Sequence, residues 1–328
     1  MTQDLRIDTV DTHTAGEPTR IVVDGLPAGV TDGGAIEARD RFRTEYDHLR
    51  RFLMHEPRGH RDMFGAVLMD PADESADIGC FFMDTEGYLD MCGHGLIGTV
   101  TYLIEYGQIE PPIDGPLVVE TPAGLVRAWP EMTDGSVQGV TIENVDSFVL
   151  GTETVTVDGT PLEVSIVYGG NTFALVNVAE VGLELEQSQL RKLIELALTV
   201  RDLLNTDHRF THPVTGEPLE VELVECYDEQ RAVPANVTVF SDGQVDRSPC
   251  GTGTCAKMAM LYDRDALAVG DHYHYESIIG TRFTGEIVDT VDQDGHTAII
   301  PRITGSAYAI AESTFIRDTA DTLAGFRL

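Results

Sequence analysis

Two short strings in the sequence have the residue types and spacing for acid–base chemistry at carbon. Asp90-Met91-Cys92-Gly93-His94-Gly95 and Ser248-Pro249-Cys250-Gly251-Thr252-Gly253 share one pattern: a polar residue, one further residue, Cys, Gly, any residue, Gly. Each follows a strand-like run, Ile78–Met83 or Asn236–Phe240. Each precedes an apolar helical stretch, with Val100, Leu103 and Ile104 in the first case and Met258, Met260 and Leu261 in the second. A residue that opens a helix sits among backbone N–H groups lacking intrahelical partners, at the positive end of the helix dipole. A thiol there is expected to ionise more readily than usual. The following glycines let a ligand approach the backbone, so the same N–H groups can hold a carboxylate. Each turn therefore offers a proton acceptor beside an anion cradle.

Taken singly, a cysteine before glycine is more often a small buried residue than a catalyst. The repetition, nearly half the chain apart, changes the reading: two thiols can serve one carbon, one as base and the other as acid. A free amino acid fits this arrangement. Its carboxylate would take N–H groups from both helices, its Cα–H would lie between the sulfurs, and preorganised dipoles would offset the developing carbanion. Asp246, four residues before Cys250, is placed to accept the ammonium group. No cofactor or metal is expected. There is no Gly-x-Gly-x-x-Gly opening a βαβ unit, no P-loop and no His-Glu-x-x-His, and the five cysteines lack the paired spacing of a zinc site. Cys80, Cys226 and Cys255 begin no such turn and read as structural.

The elements that must position these turns are mostly strands. Strand-like runs fall at Leu5–Val10, Arg20–Val23, Gly65–Met69, Ile78–Met83, Leu117–Glu120, Leu125–Trp129, Gly139–Ile142, Thr154–Val157 and Leu162–Val167. They return at Leu219–Glu225, Asn236–Phe240, Ile278–Ile279, Gly285–Val288 and Thr297–Ile300. Amphipathic helices are predicted over Asp40–Met54 and about Glu186–Leu204. The regular alternation of a doubly wound parallel sheet is missing. A length of 328 residues favours two domains.

The charge balance narrows the partners. With 55 acidic against 22 basic residues the chain carries a net charge of −33, so nucleic acid and anionic membrane surfaces are disfavoured. Lysine occurs only at Lys192 and Lys257. The acidic residues are spread along the whole chain, as on a solvated surface adapted to high salt, where screening is strong. No apolar run approaches a membrane-spanning length, and Met1-Thr2-Gln3-Asp4 lacks the basic and apolar regions of a signal peptide, so a cytoplasmic location is expected.

The two cysteine strings, extended to Met91–Gly98 and Asp246–Ala259, resemble the signature motifs of the proline racemase family. The resemblance continues through Asp11–Arg20, Glu56–Gly65, Tyr168–Asn171, Tyr275–Thr281 and Ile303–Tyr308, nearly the whole chain. It implies an α/β (α+β) fold of the diaminopimelate-epimerase type. Such a fold has two pseudo-symmetric lobes, each a curved, mostly antiparallel sheet around a central helix, with the active site in the cleft between them. Lobes of 1–130 (with roughly 318–328) and 131–317 are expected. The resemblance assigns Cys92 and Cys250 as the acid/base pair of a cofactor-independent proline racemase, with 4-hydroxyproline 2-epimerase as the alternative. It assigns carboxylate binding to backbone groups of Gly93, His94, Gly251 and Thr252, and contact with the substrate nitrogen to Asp246 and His94. Phe64 and Phe240 match the aromatic walls around a pyrrolidine ring. Members that dehydrate trans-3-hydroxyproline commonly carry threonine at the second cysteine, so Cys250 argues against that reaction. The family also implies a homodimer acting on proline or hydroxyproline. Leu96, Cys255 and Thr172 depart from the usual pattern.

Overall fold

The computed structural model describes residues 5–293, 295–318, 320–323 and 325–327. The chain divides into two compact units, Met1–Ile142 with Ser306–Leu328, and Glu143–Gly305. Among the described residues no helix is long and apolar enough to cross a membrane.

The first unit begins with β1 (Leu5–Thr14) and β2 (Glu17–Asp24), then two helices, α1 (Ala35–Glu45) and α2 (Asp47–Met54). It continues with β3 (Phe64–Met69), β4 (Ile78–Asp84), β5 (Tyr88–Leu89), α3 (Gly93–Glu105), β6 (Leu117–Thr121), β7 (Gly124–Thr133) and β8 (Ser136–Glu143). The single helix expected over 40–54 is two, because the chain leaves helical geometry at Tyr46, φ −122° and ψ 14°. β1 pairs antiparallel with β2, β3 with β4, β4 with β5 and β6 with β7. β2–β3 and β4–β6 are parallel, each pair being joined through helix. α3 is apolar or small on all faces and buried from Gly93 to Ile104, as a central helix must be. α1 and α2 give Phe42, Phe52 and Leu53 to a core with Phe81 and Met83 of β4.

The second unit runs β9 (Phe148–Val157), β10 (Thr160–Tyr168), β11 (Thr172–Asn177), α4 (Leu190–Asp207), β12 (Phe210–Thr211), β13 (Pro218–Leu219), β14 (Leu223–Asp228), β15 (Ala235–Phe240) and β16 (Gln244–Val245). It ends with α5 (Gly251–Asp263), β17 (His272–Ser277), β18 (Arg282–Gln293) and β19 (His296–Gly305). The expected strand at Ile278–Ile279 is instead the turn after β17, where Gly280 takes φ 81°. Pairing is antiparallel except β11–β14 and β15–β17. An isolated bridge, Ser147–Ile299, brings the segment before β9 to β19. α5 is buried from Gly251 to Met260, and α4 covers a core of Val164, Val176, Val224 and Val237 with Leu193, Ala197 and Val200.

The last strand, β20 (Ala307–Arg317), pairs along the whole of β1. In the first unit it takes the place that β9 takes beside β10 in the second. The unit boundaries therefore differ from those expected. Residues 307–317, expected in the second lobe, belong to the first, and the first runs on to Ile142. With that exchange the topologies match: a parallel step through an outer helix (β2–β3, β11–β14) and a parallel step through a central helix (β4–β6, β15–β17). A two-residue strand, β5 or β16, leads into each cysteine.

Candidate active site

Cys92 is the N-cap of α3, in extended geometry at φ −147° and ψ 114°. Its Sγ accepts the N–H of Gly95 at 3.3 Å, and the N–H of Leu96 bonds to its carbonyl at 3.0 Å. The first-turn N–H groups therefore point toward the sulfur side of the turn. His94 lies against it, Nδ1 at 3.2 Å and Nε2 at 3.6 Å from Sγ. Burial holds the His94 imidazole neutral, with its pKa pushed down to about 3. A neutral ring has one N–H donor and one acceptor nitrogen. The His94 carbonyl accepts the Thr14 hydroxyl at 2.8 Å, tying the turn to β1. Phe64 packs edge-on against His94, centroids 4.6 Å apart. Asp90 is held by an ion pair to Arg39 of α1.

Gly93-His94-Gly95-Leu96-Ile97-Gly98 has Gly-x-Gly-x-x-Gly spacing and, against expectation, lies between parallel strands, β4 and β6. Its glycines serve close packing. A Cβ on Gly95 would stand 2.9 Å from the Phe82 ring and 3.2 Å from Cys92 Sγ, and one on Gly98 would stand 2.6 Å from Thr12 Oγ1.

Cys250 is the N-cap of α5, and its Sγ accepts the N–H of Gly253 at 3.4 Å. Here the backbone differs: Cys250 has φ 58° and ψ 110°, a region that disfavours any side chain and tends to mark functional sites. Residues on both sides of it and on β15 hold it there. Ser248 Oγ accepts the Cys250 N–H at 3.1 Å, the Thr254 hydroxyl bonds to the Cys250 carbonyl at 2.7 Å, and Asn236 donates to the Pro249 carbonyl at 2.8 Å. Asp246 Oδ1 accepts the Ser248 N–H at 2.7 Å, and its carboxyl is hydrogen-bonded with the Cys250 thiol. Thr252 Oγ1 lies 3.8 Å from the sulfur, and the Thr238 hydroxyl also reaches it.

Electrostatically the second turn departs from the expectation of an easily ionised thiol. Burial and the carboxyls of Asp246 and Glu225 push the Cys250 thiol well up, outweighing the Gly253 N–H. Burial raises Asp246 itself to about 6, against the lowering by Ser248 and Cys250, so it is mostly a carboxylate at neutral pH.

The structure thus gathers Phe64, Cys92, Gly93 and His94 in one unit, and Asp246, Cys250, Gly251 and Thr252 in the other. Phe240, buried at the end of β15, faces Gln244 in register where the chain turns toward Asp246. The sequence reading missed Glu225. This fully buried carboxyl in the otherwise apolar strand run Leu223-Val224-Glu225-Cys226-Tyr227 accepts the Tyr275 hydroxyl at 2.7 Å. An acidic residue inside an apolar strand was the available signal.

Comparison with known proteins places this geometry. The chain is 43% identical over 327 residues to a proline racemase of Clostridioides difficile, covering 97% of this chain and 96% of that protein. It is 37% identical over 324 residues to a 4-hydroxyproline 2-epimerase of Streptosporangium roseum, covering 95% of each. A crystal structure of a hydroxyproline epimerase from Agrobacterium vitis, with bound trans-4-OH-L-proline, superposes with a TM-score of 0.91 at 30% identity, covering 99% of this chain and 96% of that one. The fold is that of the diaminopimelate-epimerase type, and the enzyme class is isomerase. A sequence model described as proline racemase matches residues 9–327, and the chain belongs to that family of racemases and epimerases.

Proposed function

We propose that the protein interconverts L- and D-proline without a cofactor, Cys92 and Cys250 exchanging protons with the substrate Cα from opposite faces. The observation that carries this reading is the repeated N-cap thiol: in each unit a sulfur accepts the N–H of the third residue on, at the mouth of a buried helix. The N–H groups of Gly93, His94, Gly251 and Thr252 would bind the carboxylate, and Asp246 with neutral His94 the ring nitrogen. Asp246 is suited to an ammonium because it is ionised above about pH 6.

The two thiols are not equivalent. Burial and the Asp246 carboxylate favour the S–H form of Cys250, so it enters as the acid for one enantiomer, with Cys92 as the base. In that half-reaction the Cα–H bond breaks as Cys92 thiolate takes the proton. The electron pair spreads into the carboxylate under the N–H dipoles. The Cys250 S–H bond then breaks as a proton reaches the other face of Cα.

Incubation with L-proline in deuterium oxide tests the reading. Loss of optical rotation should accompany deuterium uptake at Cα, and Cys92→Ser and Cys250→Ser should each lower both by at least about 10²–10⁴-fold. Substrate binding with no exchange would favour an amino-acid binding protein. Redox-dependent thiol chemistry with neither would favour a disulfide couple. A second reading, 4-hydroxyproline 2-epimerase, is favoured by the likeness to the Agrobacterium vitis epimerase. Phe240 speaks for unsubstituted proline, since an aromatic wall leaves a ring hydroxyl without a hydrogen-bond partner. Running trans-4-hydroxy-L-proline in the same assay decides between them.

A further inference from the structure

Behind Cys250 lies a buried polar group that the proposed chemistry leaves unused. Glu225, on β14, is fully buried. Its Oε1 accepts the Tyr275 hydroxyl at 2.7 Å, while its Oε2 has no hydrogen-bond partner among the described residues. That free oxygen points at the first turn of α5. A Cβ built on Gly253 would stand 2.3 Å from Glu225 Oε2 and 3.1 Å from Cys250 Sγ. Carboxyl oxygen and sulfur therefore border one narrow space, too small for a methyl group, which only a glycine leaves open.

Other titratable groups face Glu225 from every side: Tyr275 and Tyr273 of β17, Cys255 and Lys257 of α5, Asp246 after β16, and Cys226 beside it on β14. Lys257 is itself buried, over the Tyr227 ring at 3.1 Å, and its Nζ lies 2.6 Å from Glu229 Oε1. The Glu229 side chain is 40% exposed, so this pair joins the buried cluster to the surface.

We propose that Glu225 is a positioning residue that holds a proton for Cys250 and returns it to the sulfur after Cys250 has protonated the substrate. The proposal rests on the acid role of Cys250 given above. Tyr275 occupies Oε1, so the proton of the neutral carboxyl sits on Oε2, facing the space shared with the thiol. After the substrate takes the Cys250 proton, the Glu225 O–H bond breaks and an S–H bond forms, leaving thiol and carboxylate. The carboxylate regains a proton from solvent, while Cys92 releases the one it took. The overall proton count is unchanged, and no oxidant or reductant enters. Burial keeps this carboxyl protonated up to about pH 8, which supplies the proton at neutral pH.

The test is the pH dependence of iodoacetamide alkylation, followed separately on the Cys92 and Cys250 peptides of the full chain, together with racemisation. Glu225→Gln removes the charge and the transferable proton but keeps an oxygen for Tyr275. It should move the Cys250 alkylation midpoint down by about one pH unit, a rate gain of about tenfold at fixed alkaline pH. The Cys92 profile should stay in place while kcat falls. Glu225→Asp, which keeps the carboxyl, should restore the Cys250 midpoint toward that of the parent. Loosened packing would also admit water and lower the midpoint, so the separation rests on Glu225→Asp, which opens more space than Glu225→Gln but keeps the charge; a midpoint lowered in both variants would overturn the proposal. An unmoved Cys250 midpoint in folded Glu225→Gln overturns the proposal. If Glu225→Gln does not fold, Tyr275→Phe gives the same reading. It raises the Glu225 carboxyl further and should lower the Cys250 midpoint, and no movement there is equally fatal. Alkylation is read on the resting protein, so it stands apart from the racemase reading, which fails if the parent shows no deuterium exchange at Cα or if Cys250→Ser still racemises proline.

Discussion

Gly253→Ala separates the work of the Cys250 turn from the stability of the helix that carries it. In an ordinary exposed helix this change is favourable by about 1 kcal/mol, since alanine is the better helix former. Gly253 is in α5 with no left-handed φ, so the backbone accepts alanine. The new methyl group, however, would fall 2.3 Å from Glu225 Oε2 and 3.1 Å from Cys250 Sγ. The first contact is far inside van der Waals range, and the carboxyl is anchored by Tyr275, so carboxyl and sulfur must both give way. Overpacking of this kind costs about 1–3 kcal/mol, which leaves a net loss of about 0–2 kcal/mol after the helix term. For a unit of this size that lowers Tm by only about 2–4 °C per kcal/mol. The activity should suffer far more. A reacting group displaced by about 1 Å loses on the order of 10² in rate. The assay is polarimetric kcat for proline beside a thermal melt, with Gly285→Ala as control. A Cβ there would stand 2.5 Å from Met258 Sδ, the end of a flexible side chain, and neither Cys250 nor Glu225 is among its nearest atoms. If Gly253→Ala keeps kcat within a few-fold of the parent while Gly285→Ala does the same, the space beside Cys250 has no part in catalysis and the reasoning fails.

Stability should bend with pH in two places. His94, pushed from 6.5 to about 3, binds its proton only in the unfolded chain between those values, so stability falls as pH drops through that window; His94→Phe should flatten the slope in acid denaturation. Glu225, pushed from 4.5 to about 8, is protonated only in the folded chain over that range, so stability falls as pH rises through it, and Glu225→Gln should remove this slope in urea unfolding at successive pH values. Arg20 is bound by Asp11 at 2.8 Å and by the carbonyls of Leu53 and Arg58 at 2.7 and 2.8 Å, so Arg20→Met should cost about 3–5 kcal/mol by stranding the buried Asp11, read as a lowered urea midpoint. A net charge of −33 should make Tm climb as potassium chloride rises toward about 1 M, where the screening length is about 3 Å, and a flat response would refute a salt-adapted surface.

Much of the architecture was legible in the order of residues. Short apolar-rich runs such as Ile78–Met83 and Asn236–Phe240 are strands buried on both faces, and the two Cys-Gly-x-Gly strings open helices because glycine and a capping side chain suit that position. The family resemblance, carried by those same strings, agrees with the comparisons over nearly the whole chain. What spacing could not reveal depends on neighbours far away in sequence. β20 belongs to the first unit because β1 offers it a strand edge, and no local pattern states which edge a strand will find. The helix over 40–54 breaks at Tyr46, a matter of backbone geometry that the apolar spacing hides. The protonation of Cys250 was misjudged for the same reason. A helix N-terminus is a local feature and lowers a thiol's pKa, but Glu225 lies a full strand and loop earlier in the chain. Only folding brings that carboxyl, with Asp246, against the sulfur and away from water, and at such short range burial and charge outweigh the helix dipole.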